Sequence, residues 1–150
     1  MASIVADEEG ALRLTHSQET PPYLDVIAVG AHMRGMPKNH EMAAVGAEFV
    51  SERRTAQVYR MFSLGDVKPL LVRVHEDGRA FDVEQWRIPL ANVGQFLRDS
   101  VKAPLGIADV LLDDGTSVKG FMGESYATRA ATDVSQFGGW RHYKQGAAPR

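Results

Sequence analysis

The chain has 150 residues, the usual size of one domain and too short for two ordinary ones. Its 17 Lys and Arg against 19 Asp and Glu give a formal charge of -2, so the composition provides no general attraction to nucleic acid or anionic lipid. The absence of Cys excludes disulfides and thiolate sites and is typical of a cytoplasmic protein. No apolar run is long enough to span a bilayer, and no secretory signal is visible.

The two ends of the chain differ in composition from the middle. Residues 1–22 carry four acidic residues against Arg13 alone, show little alternation and end in Pro21-Pro22, which disfavours helix entry. We predict a mobile acidic arm over 1–22; the alternative is an arm whose apolar residues dock on a neighbour. A single domain is then expected over 23–145, followed by a loose tail over 146–150.

The predicted domain opens on a strand and a polar loop. Leu24–Val29 ends in four consecutive apolar residues, which indicates a buried central strand. The following Gly30–His40 contains two Gly and one Pro and is therefore predicted as a loop. Glu41–Glu52 is ambiguous, because its Ala and Met favour a helix early while Ala47–Val50 favours a strand.

Further strands are indicated by apolar alternation and by turn residues, at Val58–Leu64, Pro69–Val74, Ala80–Ile88, Leu105–Leu112 and Thr116–Gly123. Leu90–Arg98 is predicted as a helix after Pro89, with Leu90, Val93 and Leu97 on one face. A last helix is predicted to begin at Thr132 or Asp133 and to reach Tyr143, interrupted by Gly138-Gly139. This order predicts an α+β domain built on a small mixed β-barrel with short flanking helices, because many short strands tend to curl and close.

The loop after the first predicted core strand holds the most residues able to carry chemistry, namely Gly30, His32, Arg34, Gly35 and Asn39. A Gly-containing loop that leaves a buried strand can direct backbone N–H groups toward a small anion. A His in such a loop can exchange a proton near neutral pH. The alternatives are that His32 is a hydrogen-bonded structural residue and that the glycines only form turns.

Other familiar sites are not indicated. No His pair has metal-ligand spacing, so we predict no metal and no cofactor. Neither Gly-rich nucleotide motif is present, and no Ser has the setting of a nucleophile elbow. Four charged residues lie on or beside predicted strands and either face solvent or point into the barrel mouth, where they would favour an anionic substrate; they are Lys68, Arg73, Lys119 and Glu124.

Six blocks of the sequence, in order, resemble the C-terminal domain of allophanate hydrolase. They cover about residues 25 to 143 and are Val29–Asn39, Lys68–Val74, Val83–Pro89, Ala103–Ile107, Val118–Phe121 and Phe137–Arg141. The resemblance implies a γ-glutamylcyclotransferase-like fold and a role in urea and allophanate nitrogen metabolism. In that family the amidase domain leaves N-carboxycarbamate, and the C-terminal domain is thought to speed the decarboxylation of that product.

The resemblance also implies roles for individual residues. The histidine of the family's Gly-Ala-His loop is the proposed acid/base residue, and it matches His32. Substrate-binding positions are expected at Gly30, Ala31, Met33, Arg34, Asn39, Lys68, Arg73, Glu124 and Tyr126. The expected substrate is a small dicarboxylate, whose charges suit loop N–H groups and Arg or Lys side chains.

The chain lacks a Ser-Ser-Lys amidase signature, so we expect a stand-alone relative of this domain. An amidase subunit and a second copy of the chain are its candidate protein partners. One alternative is an accessory or oligomerisation module without catalysis, and another is a domain that binds a small anion without turning it over. A γ-glutamyl cyclotransferase is disfavoured, because no Glu follows Asp99 where that family has its acid/base residue.

Overall fold

The computed structural model describes residues 2–6, 12–16 and 22–146 of the chain. These residues form an α+β fold, as predicted, with ten strands and three α-helices in the described part. None of the described helices has the length and apolar character that crossing a membrane requires.

The strands are β1 (Ala2–Ala6), β2 (Leu12–His16), β3 (Tyr23–Ala28), β4 (Glu48–Arg54), β5 (Tyr59–Leu64), β6 (Lys68–Arg73), β7 (Asp82–Pro89), β8 (Leu105–Leu111), β9 (Ser117–Gly123) and β10 (Thr132–Asp133). The α-helices are α1 (Asn39–Ala44), α2 (Val93–Ser100) and α3 (Trp140–Lys144). Short 3-10 turns cover Leu90–Asn92, Ser125–Ala130 and Ser135–Phe137.

A five-stranded sheet in the order β4-β7-β3-β9-β8 forms the centre of the fold. The apolar end of β3 places Val26, Ile27 and Ala28 in this centre, where all three are fully buried. This strand pairs antiparallel with β7 and parallel with β9, so both of its edges are satisfied. The prediction of a buried central strand is therefore confirmed, and its carboxyl end delivers the Gly30 loop to one side of the sheet.

A smaller sheet in the order β10-β5-β6 packs beside the first. Strand β5 alternates between buried and half-buried residues, so Tyr59, Met61 and Ser63 face the interior. Strand β6 is nearly continuously buried and contacts β9 of the larger sheet. Its first residue, Lys68, therefore lies next to the carboxyl end of β3.

The predicted closed barrel is not confirmed. Among the described strands, the hydrogen-bonded ladders form sheets of two, three and five strands and none of them closes. The larger sheet curls enough for its two edges to meet at one end, where Thr55 and Leu112 form a single antiparallel bridge. The short strands therefore curl as expected, but a single bridge does not close the sheet into a barrel.

Helix α2 is present where predicted, but a different face is buried. Phe96 and Ser100 are buried, whereas Leu90 and Leu97 are 55% and 43% exposed. Of the three apolar residues chosen from the spacing, Leu90 and Leu97 therefore face outward, whereas Val93 packs against the core. As a result, Ser100 enters the interior at the end of the helix.

The last predicted helix is wrong over most of its length. Thr132 and Asp133 pair with β5 as a strand, and the Asp133 carboxylate accepts the amide hydrogen of Ser135 at 2.9 Å. Gly138 then has a left-handed φ of 75°, so the α-helix begins only at Trp140. Gly138 and Gly139 therefore separate the 3-10 turn Ser135–Phe137 from α3 and do not interrupt a continuous helix.

Strands β1 and β2 pair antiparallel within the segment predicted as an arm, and they are not among the predicted elements. The other residues of that segment lie outside the described residues, except for Pro22. The predicted tail over 146–150 also lies outside them, apart from Gly146.

Candidate functional site

Specific hydrogen bonds hold the loop after β3 in place. The amide of Lys38 donates to the carbonyl of Ala31 at 2.9 Å, which closes the loop across its base. The side chain of Asn39 donates from Nδ2 to the carbonyl of His32, also at 2.9 Å. Asn39 therefore supports the backbone of the central residue of the loop.

The imidazole of His32 is buried and confined on several sides. It is 4% exposed and stacks on the ring of Phe121, with centroids 4.7 Å apart and planes within 13° of parallel. Phe121 in turn meets Phe96 edge to face at 5.6 Å. Nε2 of His32 lies 3.1 Å from Oε1 of Glu41, on α1. A ring held this way has one orientation, which proton transfer requires.

His32 lies in the wall of a pocket. Besides His32 and Ser100, the polar side chains that line it are three lysines, Lys38, Lys68 and Lys102. The remaining lining residues are Val29, Gly30, Ala31, Pro69, Leu105 and Phe121. None of these lining residues is acidic, so the pocket favours an anion.

The charge states of the pair beside the pocket follow from burial and hydrogen bonding. Burial lowers the pKa of the His32 imidazole below its ordinary 6.5, and the hydrogen bond with Glu41 offsets only part of this effect. Burial raises the pKa of the Glu41 carboxyl, but hydrogen bonds with Ser100 and His32 bring it below its ordinary 4.5 overall. At neutral pH the free protein therefore holds a carboxylate against a neutral imidazole.

A second cluster ties the opposite side of the loop to the sheet and to α3. The Glu84 carboxylate, on β7, is 1% exposed and accepts hydrogen bonds from the amide and Nε of Arg34 at 2.8 and 3.0 Å. It also accepts from Nη2 of Arg141 at 3.0 Å and from Nε1 of Trp86 at 3.2 Å. Arg141 donates as well to the carbonyl of Arg34 at 2.7 Å.

Gly30 has no room for a side chain. A Cβ at this position would lie 2.1 Å from Cγ of Pro69 and 2.9 Å from Cγ of Trp140. The bare backbone allows β6 to approach the loop and brings the neighbouring Lys68 to the pocket. The glycine is therefore required by packing.

We expect Gly30→Ala to lower the free energy of unfolding by about 1–3 kcal/mol, because the added methyl group forces Pro69 and Trp140 apart. Denaturant unfolding measures this change. Gly94→Ala is the matched control, because Gly94 lies in α2 with open space where a Cβ would be added. We expect this variant to be more stable than the wild type by about 0.5–1 kcal/mol. Equal midpoints for wild type and Gly30→Ala would contradict the packing argument.

The residues predicted to bind substrate fall into three groups. Gly30, Ala31 and Lys68 line the pocket with His32, and Asn39 supports the loop from behind. Met33 is buried in the hydrophobic core, and Arg34 engages Glu84 and Glu52. The last group is exposed and outside the pocket lining, and it comprises Arg73, Glu124 and Tyr126.

Several residues of the site were not predicted to take part in it. Lys38 belongs to the predicted loop, yet its charge was not singled out. Lys102 and Ser100 lie at the end of α2, about seventy residues along the chain from His32. Glu41 was the hardest to foresee, because the segment around it has an ambiguous pattern. The signal that could have found the lysines was their position near the ends of predicted elements: Lys38 precedes Glu41–Glu52, and Lys102 follows the predicted helix Leu90–Arg98.

Comparison with known proteins matches residues 24–145 to the family described as the allophanate hydrolase C-terminal domain. The urea amidolyase of Lachancea kluyveri is 33% identical over 122 residues, which is 77% of this chain and 7% of that protein. The chain thus spans a small fraction of this curated relative. A solved uropathogenic E. coli-specific protein matches with a TM-score of 0.78 and 35% identity, over 84% of this chain and 98% of that one. Kluyveromyces lactis allophanate hydrolase matches with a TM-score of 0.79 and 30% identity, over 87% and 22%.

Proposed function

Because the chain belongs to the allophanate hydrolase C-terminal domain family, we propose that its pocket binds N-carboxycarbamate, or a related small dicarboxylate, and promotes its decarboxylation. The observation that carries this proposal is the chemistry of the pocket wall, in which one buried histidine stands among three lysines. Three lysines without a lining carboxylate suit a dianion. The proposal includes a cytoplasmic location and the γ-glutamylcyclotransferase-like assignment of the fold.

The reaction needs one proton at the nitrogen of the substrate. N-carboxycarbamate has two carboxylates on one NH group. When the bond between nitrogen and one carboxylate carbon breaks, carbon dioxide leaves and the electron pair stays on nitrogen. A protonated His32 donates its proton to that nitrogen, so the product is carbamate and the imidazole is recharged from solvent.

Binding of a dianion in the pocket can shift His32 to its protonated form. Burial keeps the imidazole neutral in the free protein, but a dianion bound beside it favours the imidazolium. The lysines hold the carboxylate that remains on the product. Pro69, Leu105 and Phe121 give the other carboxylate an apolar surrounding, which favours its conversion to neutral carbon dioxide.

The backbone offers further anion contacts. Among residues 22–146, the amide groups of Ala31 and His32 donate to no acceptor in the protein. Both residues line the pocket, and we propose that these two N–H groups donate to a bound carboxylate. They complement the lysines with short-range, directional contacts.

Calorimetric titration with malonate tests the proposal, because malonate has a CH₂ in place of the bridging nitrogen and does not decarboxylate readily. We expect binding that weakens by about 10-fold or more in Lys102→Met, since a hydrogen bond to a charged group contributes about 1.5–3 kcal/mol. Lys119→Met is the matched control, because Lys119, on β9, pairs with Asp109 and is not part of the pocket lining. Equal affinities for both variants, or no binding to the wild type, would contradict a dianion pocket.

We also expect malonate binding to take up protons. A bound dianion raises the pKa of His32 from its lowered value, so affinity falls as the pH rises through the pKa of the bound state. Titrations in buffers of different ionisation enthalpy measure this uptake. His32→Ala should lose it, and uptake that persists in His32→Ala would assign it to another group.

A second candidate function is an accessory module for an amidase subunit. It is favoured by the comparison in which this domain matches only 22% of Kluyveromyces lactis allophanate hydrolase. Light scattering of the chain alone and mixed with an allophanate hydrolase amidase domain tests this candidate. A complex without any malonate binding would support it over the enzyme.

A further inference from the structure

One nitrogen of the His32 ring has its own hydrogen-bond partner. Oε1 of Glu41 lies 3.1 Å from Nε2, and the two side chains are 25% and 5% exposed. The side chain of Ser100, which is buried at the end of α2, lies beside the Glu41 carboxylate and contributes to its lowered pKa. Three side chains from three segments thus meet beside the pocket.

We propose that Glu41, oriented by Ser100, is a positioning residue that keeps a proton on Nε2 of His32 and leaves Nδ1 as the nitrogen that exchanges protons with the ligand. This proposal deepens the proposed function and rests on it for the identity of the ligand. The assignment of the ring nitrogens stands on the geometry of the free protein.

The hydrogen-bonding capacity of the three groups gives the direction of each bond. An ionised carboxylate only accepts, so the ring nitrogen that meets Glu41 must be the donor. A neutral imidazole that donates from Nε2 has its lone pair on Nδ1. Within residues 22–146, Nδ1 makes no hydrogen bond and is not among the side-chain atoms buried without a partner, so it keeps some contact with the surroundings of the ring.

The charges around the ring explain why such a residue is needed. Lys38 lies in the same loop and opposes a positive charge on the ring, and Lys68 and Lys102 are further residues of the pocket lining. His40, from α1, also opposes a positive charge on the ring. Glu41 is the carboxylate that counters these groups. Without it, burial and these neighbouring cations would together oppose the charged imidazolium.

Nitrogen-15 NMR of the histidine rings tests the assignment in the unmodified protein. We expect the signals of neutral His32 to show hydrogen on Nε2 and a bare Nδ1. The opposite tautomer would overturn the proposal while leaving the proposed function intact. This measurement needs no variant and no substrate.

Glu41→Gln tests the consequence, because it keeps the size of the side chain and removes its charge. We expect the pKa of His32 to fall, so that the pH profile of carbon dioxide release moves toward acid, and kcat to fall about 10- to 100-fold. Ser100→Ala should shift the profile in the same direction by less. Glu76→Gln, in the exposed turn after β6, is the matched control.

The readouts separate positioning from mere structural support. A structural residue would lower the melting temperature and malonate affinity together, whereas Glu41→Gln should change malonate affinity by less than about 10-fold while kcat falls. An unchanged His32 pKa in Glu41→Gln would overturn the proposal. If both His32→Ala and Glu41→Gln kept full activity, the result would instead contradict the proposed function.

Discussion

Replacing His32 by alanine should slow the release of carbon dioxide by about 10²- to 10⁴-fold, the usual contribution of a general acid. Allophanate and an allophanate hydrolase amidase domain would generate N-carboxycarbamate during the assay. The physical reason is that the nitrogen must be protonated as its bond to carbon breaks. Among the polar side chains lining the pocket, His32 is the residue type whose ordinary pKa lies near neutral pH.

Two further variants make the His32 result decisive. His32→Gln fills the same space and can still hydrogen-bond Glu41, but it cannot transfer a proton, so it should be as slow as His32→Ala. His75→Ala is the matched control, because His75 is exposed in the turn after β6 and outside the pocket lining. Undiminished carbon dioxide release from folded His32→Gln would show that the reaction does not use this histidine.

Removing the carboxylate of Glu84 should have the largest effect on stability. Glu84→Ala leaves the guanidinium groups of Arg34 and Arg141 without their shared buried partner, and the bond from Arg141 to the Arg34 carbonyl is then the remaining part of this link between the His32 loop and α3. Loss of one member of a buried ion pair costs about 3–5 kcal/mol. Because both guanidinium groups are partly exposed, we expect about 3 kcal/mol in denaturant unfolding.

The contribution of Glu84 should depend on pH in a fixed direction. Burial raises the pKa of its carboxyl, but the bonds from Arg34, Arg141 and Trp86 lower it below the ordinary 4.5 overall. A depressed pKa in the folded state stabilises the protein above the pKa of the unfolded state, and this stability is lost as the pH falls through the folded pKa. The difference between wild type and Glu84→Gln should therefore shrink below about pH 4.5.

Asp109→Ala is the matched control for Glu84. Asp109 pairs with Lys119 on the surface, where both side chains are more than half exposed. Such a pair contributes about 0–1 kcal/mol. If Glu84→Ala lowered the free energy of unfolding by no more than Asp109→Ala does, the buried cluster around Glu84 would not be what holds the loop.

The candidate site was predictable in part because some of its signals are local. His32 and the glycine beside it follow a run of buried apolar residues, and that order within one segment predicts a polar loop at the end of a strand. Lys68 was also predicted, from its place before a strand. By contrast, Arg34 lies in the same loop but turns to Glu84, which is fifty residues away in sequence. Adjacency in the chain does not decide which way a side chain points.

The sequence by itself determined the α+β class, the central strand, the polar loop and its histidine, since these follow from apolar periodicity and from the conformations that Gly and Pro allow. The tertiary structure alone decided the rest. It brought Lys102 and Ser100 from the end of α2 to His32, turned Glu41 toward Nε2 and left the curled sheet short of a closed barrel. The reason is that contacts between distant segments depend on how whole faces pack, and no local pattern records that packing.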